Sequence, residues 1–188
     1  MRPFLFCILF FLQAGCCYPL RYDGPYKGKI VDAETGQPVE GVVVLGTWSK
    51  VAVTPAGGVS SYYDAQETVT DRNGEFEIQG LGLKILSTVE SMNVLIFKSG
   101  YAYIGRGPWE SLKLDGGLLM KKVTWEGDRA IIPLKKVTTE ERKKDPLYPP
   151  MPPTEAPLDK VRLMLIELNK DLIQHGFEPL QIWCGAKI

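Results

Sequence analysis

Hydrophobic positions in the first two thirds of the chain come in short runs, and polar turn residues separate these runs. Val, Ile, Thr and aromatic residues fill the runs, whereas Gly, Pro, Asn and Asp fill the gaps, which is typical of strands and turns. The strand-like runs are YKGKIVDA, GVVVLGTWSKV, QETVTD, GEFEIQ, MNVLIFKSG and RAIIPLKKV. Six or seven short strands predict an antiparallel β-sandwich over residues 26–137. The runs VVVL and VLIF lack alternation, which indicates central strands buried on more than one side.

Two segments without clear periodicity are predicted to be loops. Residues 54–65, TPAGGVSSYYDA, contain Tyr62 and Tyr63, and residues 105–117, GRGPWESLKLDGG, contain Trp109. Exposed aromatic rings offer a large contact area at low entropic cost, so these three residues are candidates for binding a carbohydrate or a peptide. The alternative is that the three rings cap the open ends of the core.

The pattern changes after residue 137. Residues 138–157 contain six prolines, which predicts an extended, semi-rigid linker because proline fixes φ and removes a hydrogen-bond donor. Residues 158–176 predict a helix that ends at Gly176, and residues 177–188 form a tail. One apolar stripe runs along this helix at spacings of three and four residues: Leu158, Val161, Leu165, Leu168 and Leu172. Two interpretations remain open, because the stripe could pack on the sandwich or dock on another subunit or partner.

The first sixteen residues predict export. The apolar run FLFCILFFL is too short to span a membrane as a helix and suits a signal peptide. The following LQAGCC resembles a bacterial lipobox, in which the cysteine, here Cys16, is acylated and becomes the mature N-terminus. Ordinary secretory cleavage and a retained anchor are the alternatives. Residues 17–25 are interpreted as a short tether between Cys16 and the sandwich.

Cysteine usage also favours an oxidising compartment. Once residues 1–16 are processed and Cys16 carries lipid, Cys17 and Cys184 remain as an even pair. A disulfide between these two cysteines would tie the tail to the start of the domain. The alternative is two free thiols.

The pieces GKIVDAETGQPVEGVVV and ETVTDRNGEFEI, followed later by IFKSGY, are similar to the carboxypeptidase regulatory-like domain family. The matching positions are Gly28, Gly36, Pro38, Gly41, Val44, Thr70, Asp71, Gly74 and Phe76. The resemblance covers roughly residues 26–104. It implies a seven-stranded transthyretin-like β-sandwich, and it implies little about function, because these domains serve as accessory, scaffold or binding modules.

The residues at the two corners of this pattern are predicted to shape the backbone. Asp71 and Gly74 fit the first and fourth positions of a type I turn, and Gly36 and Pro38 do a similar job between the first two strands. The oxygen-bearing side chains near Asp71 also suggest calcium, but the spacing of an EF-hand loop is not met. We therefore predict structural turns and no metal at these positions.

The side chains needed for catalysis are scarce. His175 is the only histidine, so the histidine-dependent metal chemistries of hydroxyisourate hydrolases, intradiol dioxygenases and metallocarboxypeptidases cannot be assembled. No nucleophile elbow or phosphate-binding loop appears. Lys and Arg together number 22, as do Asp and Glu, so no basic surface indicates a nucleic-acid partner. We predict no catalytic residues and no cofactor.

These inferences combine into one hypothesis. The chain is expected to be an exported, lipid-anchored, non-enzymatic protein of a bacterial cell envelope, on the periplasmic or outer side of a membrane. Its expected role is structural or protein-interacting, with a partner or a second copy docking on the C-terminal helix. The alternative is a carbohydrate- or peptide-binding module that uses the loop aromatics.

Overall fold

The computed structural model describes residues 20–55, 57–113, 123–145 and 148–180. Within these ranges the protein is mainly β with one long helix near the C-terminus, which confirms the coarse prediction. The strands are β1 (Leu20–Asp23), β2 (Tyr26–Asp32), β3 (Val43–Thr54), β4 (Gly57–Val69), β5 (Glu75–Ile78), β6 (Gly82–Ile85), β7 (Asn93–Phe97), β8 (Ile104–Pro108), β9 (Thr124–Glu126) and β10 (Arg129–Leu134). The helices are α1 (Thr139–Lys144) and α2 (Arg162–Gln174), and 3₁₀ turns cover Trp109–Lys113 and Leu158–Lys160.

The strands form three open sheets. The front sheet has the order β5-β2-β10-β9, the middle sheet has the order β4-β3-β7-β8, and β1 pairs with β6 in a two-stranded ribbon. All of these pairs are antiparallel except β2 and β10, which run parallel with Ile30 opposite Ile132. The prediction of an antiparallel sheet throughout is therefore wrong for this pair. A parallel pair requires a long connection, and here it is supplied by the whole middle sheet.

The first core lies between the front and middle sheets. Ile30 and Ile132 of the front sheet and Val44, Trp48 and Ile96 of the middle sheet are fully buried in one cluster. Strand alternation places every second side chain on this inner face. Complete burial of each such side chain contributes about 1.5–3 kcal/mol.

The second core lies on the opposite face of the middle sheet, where α2 packs. Leu45 of β3 and Leu95 of β7 contact Met164 and Leu168 of the helix. The strands β3 and β7 are thus buried on both faces, as their unbroken apolar runs predicted. The helix thus packs on the β-sheet of its own chain, which is the first of the two interpretations of its apolar stripe. Leu158 is the exception, because it is half-exposed in the 3₁₀ turn before α2, and fully buried Met164 extends the apolar face instead.

The interpretation of residues 17–25 as a tether is wrong from Leu20 onward. Residues 20–23 form β1, and the side chain of Asp23 is buried at the end of that strand. The Asp23 carboxylate accepts hydrogen bonds from the Tyr26 hydroxyl at 2.7 Å and the Leu81 amide at 3.0 Å. These bonds fix the segment to the sandwich.

The predicted loop over residues 54–65 is also wrong. β3 and β4 continue as one long hairpin, paired from Val43 opposite Val69 to Thr54 opposite Gly57, with a register shift between Trp48 and Ser49. Cross-strand pairing overrides the weak strand propensity of the glycine and serine residues in β4. The second predicted loop contains β8 and a 3₁₀ turn, and its last residues, 114–117, lie outside the described ranges.

The predicted linker over residues 138–157 begins with a helix. The Thr138 hydroxyl accepts a hydrogen bond from the Glu141 amide, and the Glu141 carboxylate accepts one from the Thr138 amide, so a capping box opens α1. Arg142 of this helix is 2% exposed. Described residues 148–157 contain neither helix nor strand, and residues 154–156 form a turn in which the Ala156 amide donates to the Pro153 carbonyl at 3.1 Å. This part of the predicted linker is therefore not extended throughout.

None of the described helices combines the length and apolarity that a membrane span requires. The predicted signal peptide over residues 1–16, the lipidation site at Cys16, the Cys17–Cys184 disulfide and most of the tail lie outside the described residues.

Candidate functional site

The corner at Asp71 is a turn held by the Asp71 side chain. Asp71 Oδ1 accepts hydrogen bonds from the Asn73 amide at 2.9 Å and the Glu75 amide at 2.8 Å. Gly74 has a φ of +74°, and its carbonyl accepts a bond from the Ile30 amide at 2.8 Å. A side chain at Gly74 would meet the Ile30 carbonyl oxygen, so only glycine fits here. In this structure the Asp71 carboxylate and Gly74 shape the backbone of the turn.

The corner at Gly36 is built in the same way. Asp32 Oδ1 accepts bonds from the Thr35 and Glu34 amides, each at 3.0 Å, and these bonds lower the pKa of the Asp32 carboxyl to about 2. Gly36 has a φ of +70°, and Pro38 forms a bridge with Val31 of β2. At both corners an aspartate carboxylate accepts hydrogen bonds from backbone amides.

The structure separates the three aromatic residues that were candidates for ligand binding. Trp109 is buried in the first core, with its ring centroid 5.6 Å from that of Tyr26 and 5.8 Å from that of Trp125. This position matches the alternative interpretation, in which the ring caps the core. Tyr62 packs against the second core, and exposed Tyr63 lies under the Lys84 ammonium, 5.1 Å from the ring centroid. The three rings share no surface.

Tyr62 instead lines an open cleft of about 430 Å³ where the proline-rich segment passes β3 and β4. Its other lining residues are mostly polar: Thr47, Trp48, Ser49, Ser60, Ser61, Asn93, Pro153 and Glu155. Burial raises the pKa of the Tyr62 phenol, so this group stays a neutral hydrogen-bond donor. Asp64, which lies on the same strand as Tyr62, forms an ion pair with the Lys160 ammonium at 3.2 Å. Hydroxyls, an amide, a carboxylate and the Tyr62 ring suit a hydroxylated or amide-bearing ligand.

A buried polar cluster joins α1 and α2 to the loop after β7, and we call it the Asp171 network. Asp171 is fully buried and accepts hydrogen bonds from the Gly100 amide and the Tyr148 hydroxyl, both at 2.8 Å. Arg142 Nε lies 3.0 Å from Asp171 Oδ2, an ion pair whose N–H points off the line of a hydrogen bond. An Arg142 Nη atom donates to the Tyr101 carbonyl at 2.6 Å. Burial, with the bond to Asp171 second, raises the pKa of the Tyr148 hydroxyl.

His175 belongs to the same network. Its Nδ1 lies 2.9 Å from Thr139 Oγ1 and its Nε2 lies 3.4 Å from Asp171 Oδ1. The order Thr139, His175, Asp171 is that of the nucleophile, base and carboxylate of a catalytic triad. However, the imidazole is 5% exposed, and Asp171 already accepts bonds from Gly100 and Tyr148. The network therefore fixes the helices to the loop after β7, and the His175 imidazole is almost fully shielded from solvent.

Glu67 of β4 caps the N-terminus of α2, which has no capping side chain of its own. The Glu67 carboxylate accepts bonds from the Leu163 amide at 2.9 Å and the Met164 amide at 2.7 Å. Burial raises the pKa of this carboxyl, and these two bonds oppose the shift. The cap ties the helix to the strand that also lines the cleft.

Sequence reasoning missed most of these side chains. Arg142 and Asp171 are 29 residues apart, and Glu67 is 96 residues from Leu163, so no local pattern connects them. One signal was readable: Thr138 and Glu141 have the spacing of a capping box, which marks the helix that carries Arg142.

Comparison with protein-family models, curated proteins and solved structures finds no match to this chain.

Proposed function

We propose that this protein is an exported, lipid-anchored and non-enzymatic component of a bacterial cell envelope, with a structural or protein-interaction role. The signal-like run and the LQAGCC stretch support export and acylation at Cys16. Acylation would anchor the protein in a membrane, on its periplasmic or outer side.

The observation that carries the interaction role is the outer face of α2. Leu163, Ile166 and Ile173 lie on the side of the helix that faces away from the sandwich, and they are 40%, 36% and 64% exposed. On the inner face of the same helix, Met164, Leu168 and Leu172 are already buried against the protein. Exposed apolar side chains on the outer side of a helix whose inner side is already buried favour a protein contact there.

The buried carboxylates support a role without catalysis. Asp23, Asp32 and Asp171 are each buried, and each accepts hydrogen bonds from one or more backbone amides. Groups held in this way stabilise turns and helix positions and are not poised to transfer protons.

We also propose that the front and middle sheets form a carboxypeptidase regulatory-like sandwich of the transthyretin type. The resemblance rests on glycines and an aspartate at the corners, and the geometry requires these residues there: Gly36, Gly41 and Gly74 all have positive φ. A crystal structure of the mature chain would test this proposal through the order and number of its strands.

Mass spectrometry of the mature N-terminal peptide tests the anchor. A diacylated or triacylated Cys16 is expected, and an unmodified peptide that starts at residue 15, 16 or 17 would contradict the anchor.

Site-specific photocrosslinking in the native envelope tests the interaction role. A photoreactive residue at Ile173 should form one or a few discrete adducts, either with a second copy or with a partner. The matched control is the same residue at Val53, which is 90% exposed on the β3–β4 hairpin. Equal adduct patterns at both positions, or none at Ile173, would refute an interface on α2.

The cleft favours a second candidate function, the binding of a carbohydrate or peptide. Its support is the combination of the Tyr62 ring with hydroxyl, amide and carboxylate groups around it. Tyr62→Ala should abolish binding on a glycan or peptide array. Tyr63→Ala is the matched control, because Tyr63 is the adjacent residue and does not line the cleft. Binding that is lost equally in both variants, or never detected, would remove this candidate.

A further inference from the structure

The ribbon of β1 and β6 carries an exposed apolar face. Leu20 pairs with Ile85, and Tyr22 pairs with Leu83. Because side chains alternate along a strand, these two pairs lie on the same face of the ribbon. All four side chains are 57% to 69% exposed, and Leu86, directly after β6, is 72% exposed. Side chains of this kind, clustered rather than scattered, mark a contact surface.

The opposite face of the ribbon is fixed to the body of the protein. An Arg21 Nη atom donates to the Val89 carbonyl at 2.8 Å and to the Glu90 carbonyl at 3.1 Å. Asp23 is buried, and the Lys84 ammonium lies over the ring of Tyr63. These contacts hold the ribbon in one orientation, so its apolar face points outward as a preformed surface.

The position of the ribbon along the chain indicates what its apolar face contacts. The predicted acylation site, Cys16, precedes Leu20 by four residues. Four residues span at most about 14 Å even when fully extended, so an acylated Cys16 places Leu20 within that distance of the lipid. The tether is too short to hold the ribbon far from a bilayer to which Cys16 is anchored.

We infer that the apolar face of the ribbon, formed by Leu20, Tyr22, Leu83 and Ile85, docks on the lipid bilayer beside the anchor. This inference rests on the proposed acylation at Cys16. The composition fits the interfacial layer of a membrane, because aliphatic side chains enter the acyl boundary and a tyrosine has an apolar ring with a polar tip. The ribbon would then act as a second membrane contact that sets the orientation of the sandwich relative to the bilayer.

The test separates the ribbon from the anchor. The mature chain with Cys16→Ser, which cannot be acylated, is mixed with vesicles of phosphatidylethanolamine and phosphatidylglycerol, and the bound fraction is measured by co-sedimentation. Weak but measurable partitioning is expected. Adding Leu83→Ser and Ile85→Ser should lower the partition coefficient at least tenfold. Adding Val53→Ser and Val59→Ser, two exposed valines on the β3–β4 hairpin, should leave it within twofold.

A second measurement uses the acylated protein in the same vesicles. Amide hydrogen exchange in residues 82–86 should slow at least fivefold on anchoring, relative to the unacylated chain in solution, whereas exchange in residues 52–59 should not change. Equal effects of both serine pairs, no vesicle binding by the Cys16→Ser chain, or unchanged exchange in the ribbon would overturn the inference. A crosslinked protein that covers the ribbon in native membranes would also overturn it. Mass spectrometry of the N-terminal peptide reports failure of the anchor separately.

Discussion

Removal of the Asp171 carboxylate should be among the most damaging single changes to the fold. The Asp171→Ala variant leaves Arg142 as an unpaired charge, 2% exposed and enclosed by the rings of Phe97 and Tyr148. It also leaves the Gly100 amide without the acceptor that it has at 2.8 Å. α1 and α2 would lose the ion pair between Arg142 and Asp171.

The magnitude follows from the burial of both partners. Breaking a buried ion pair from one side costs about 3–5 kcal/mol, because the remaining charge has no compensation. For a domain of this size that loss lowers the melting temperature by about 6–20 °C. Replacement of both partners by apolar residues removes the stranded charge, so Arg142→Met with Asp171→Leu should cost about 2–3 kcal/mol less than the sum of the two single changes.

Urea unfolding of the wild type, Arg142→Met, Asp171→Leu and the double variant, followed by circular dichroism, gives this coupling free energy. Asp171→Ala is measured in the same way. Lys143→Ala is the control, since Lys143 is exposed on the same helix and its loss should change stability by less than about 0.5 kcal/mol. A coupling below about 0.5 kcal/mol, or an Asp171→Ala cost similar to that of Lys143→Ala, would refute the reasoning.

Three further changes test other parts of the fold, each by urea unfolding. Gly74→Ala should cost about 2–4 kcal/mol of stability, because its φ is +74° and a Cβ would approach the Ile30 carbonyl oxygen. Gly36→Ala is the control and should cost only about 1 kcal/mol, because Gly36 has a φ of +70° but open space around it. Equal costs would contradict the close approach at Gly74. Glu67→Ala should cost about 1 kcal/mol of stability through loss of the α2 cap. Glu67→Gln should cost less, because an acceptor oxygen remains. A larger cost for Glu67→Gln than for Glu67→Ala would contradict capping. The pKa of Asp32 is lowered from 3.8 to about 2, so its charged form stabilises the fold above pH 3.8 and that contribution is lost as the pH falls towards 2. The stability of Asp32→Asn should therefore fall less than that of the wild type between pH 4 and 2. An equal fall in both proteins would contradict a lowered pKa at Asp32.

The sequence predicted what depends on neighbouring residues. The turns at Asp71 and Gly36 form from bonds within four residues, and the apolar runs of β3 and β7 identified strands buried on both faces. The helical stripe predicted α2 and its position on the sandwich. In each case the local pattern and the packed structure favour the same conformation.

Predictions failed where pairing partners decide the structure. Residues 57–61 are glycine, valine and serine with little intrinsic preference, and they become a strand because β3 lies beside them. The residues of the cleft come from β3, β4, β7 and the proline-rich segment, so of its lining only Tyr62 was identified in advance. The parallel pairing of β2 with β10 likewise depends on how the intervening chain folds.

The Asp171 network shows most clearly why charged positions resist prediction from sequence. Arg142 lies in the run EERKK, which is typical of a solvated helix face, and Asp171 lies among polar residues of a helix whose apolar stripe gave no reason to bury it. Once α2 packs on β3 and β7, however, Asp171 faces the Gly100 amide, and an acceptor there is required because an unpaired buried amide is costly. A buried carboxylate in turn requires a cation, which α1 supplies through Arg142. Each charge is therefore determined by the packing of another element, and only the assembled fold reveals it.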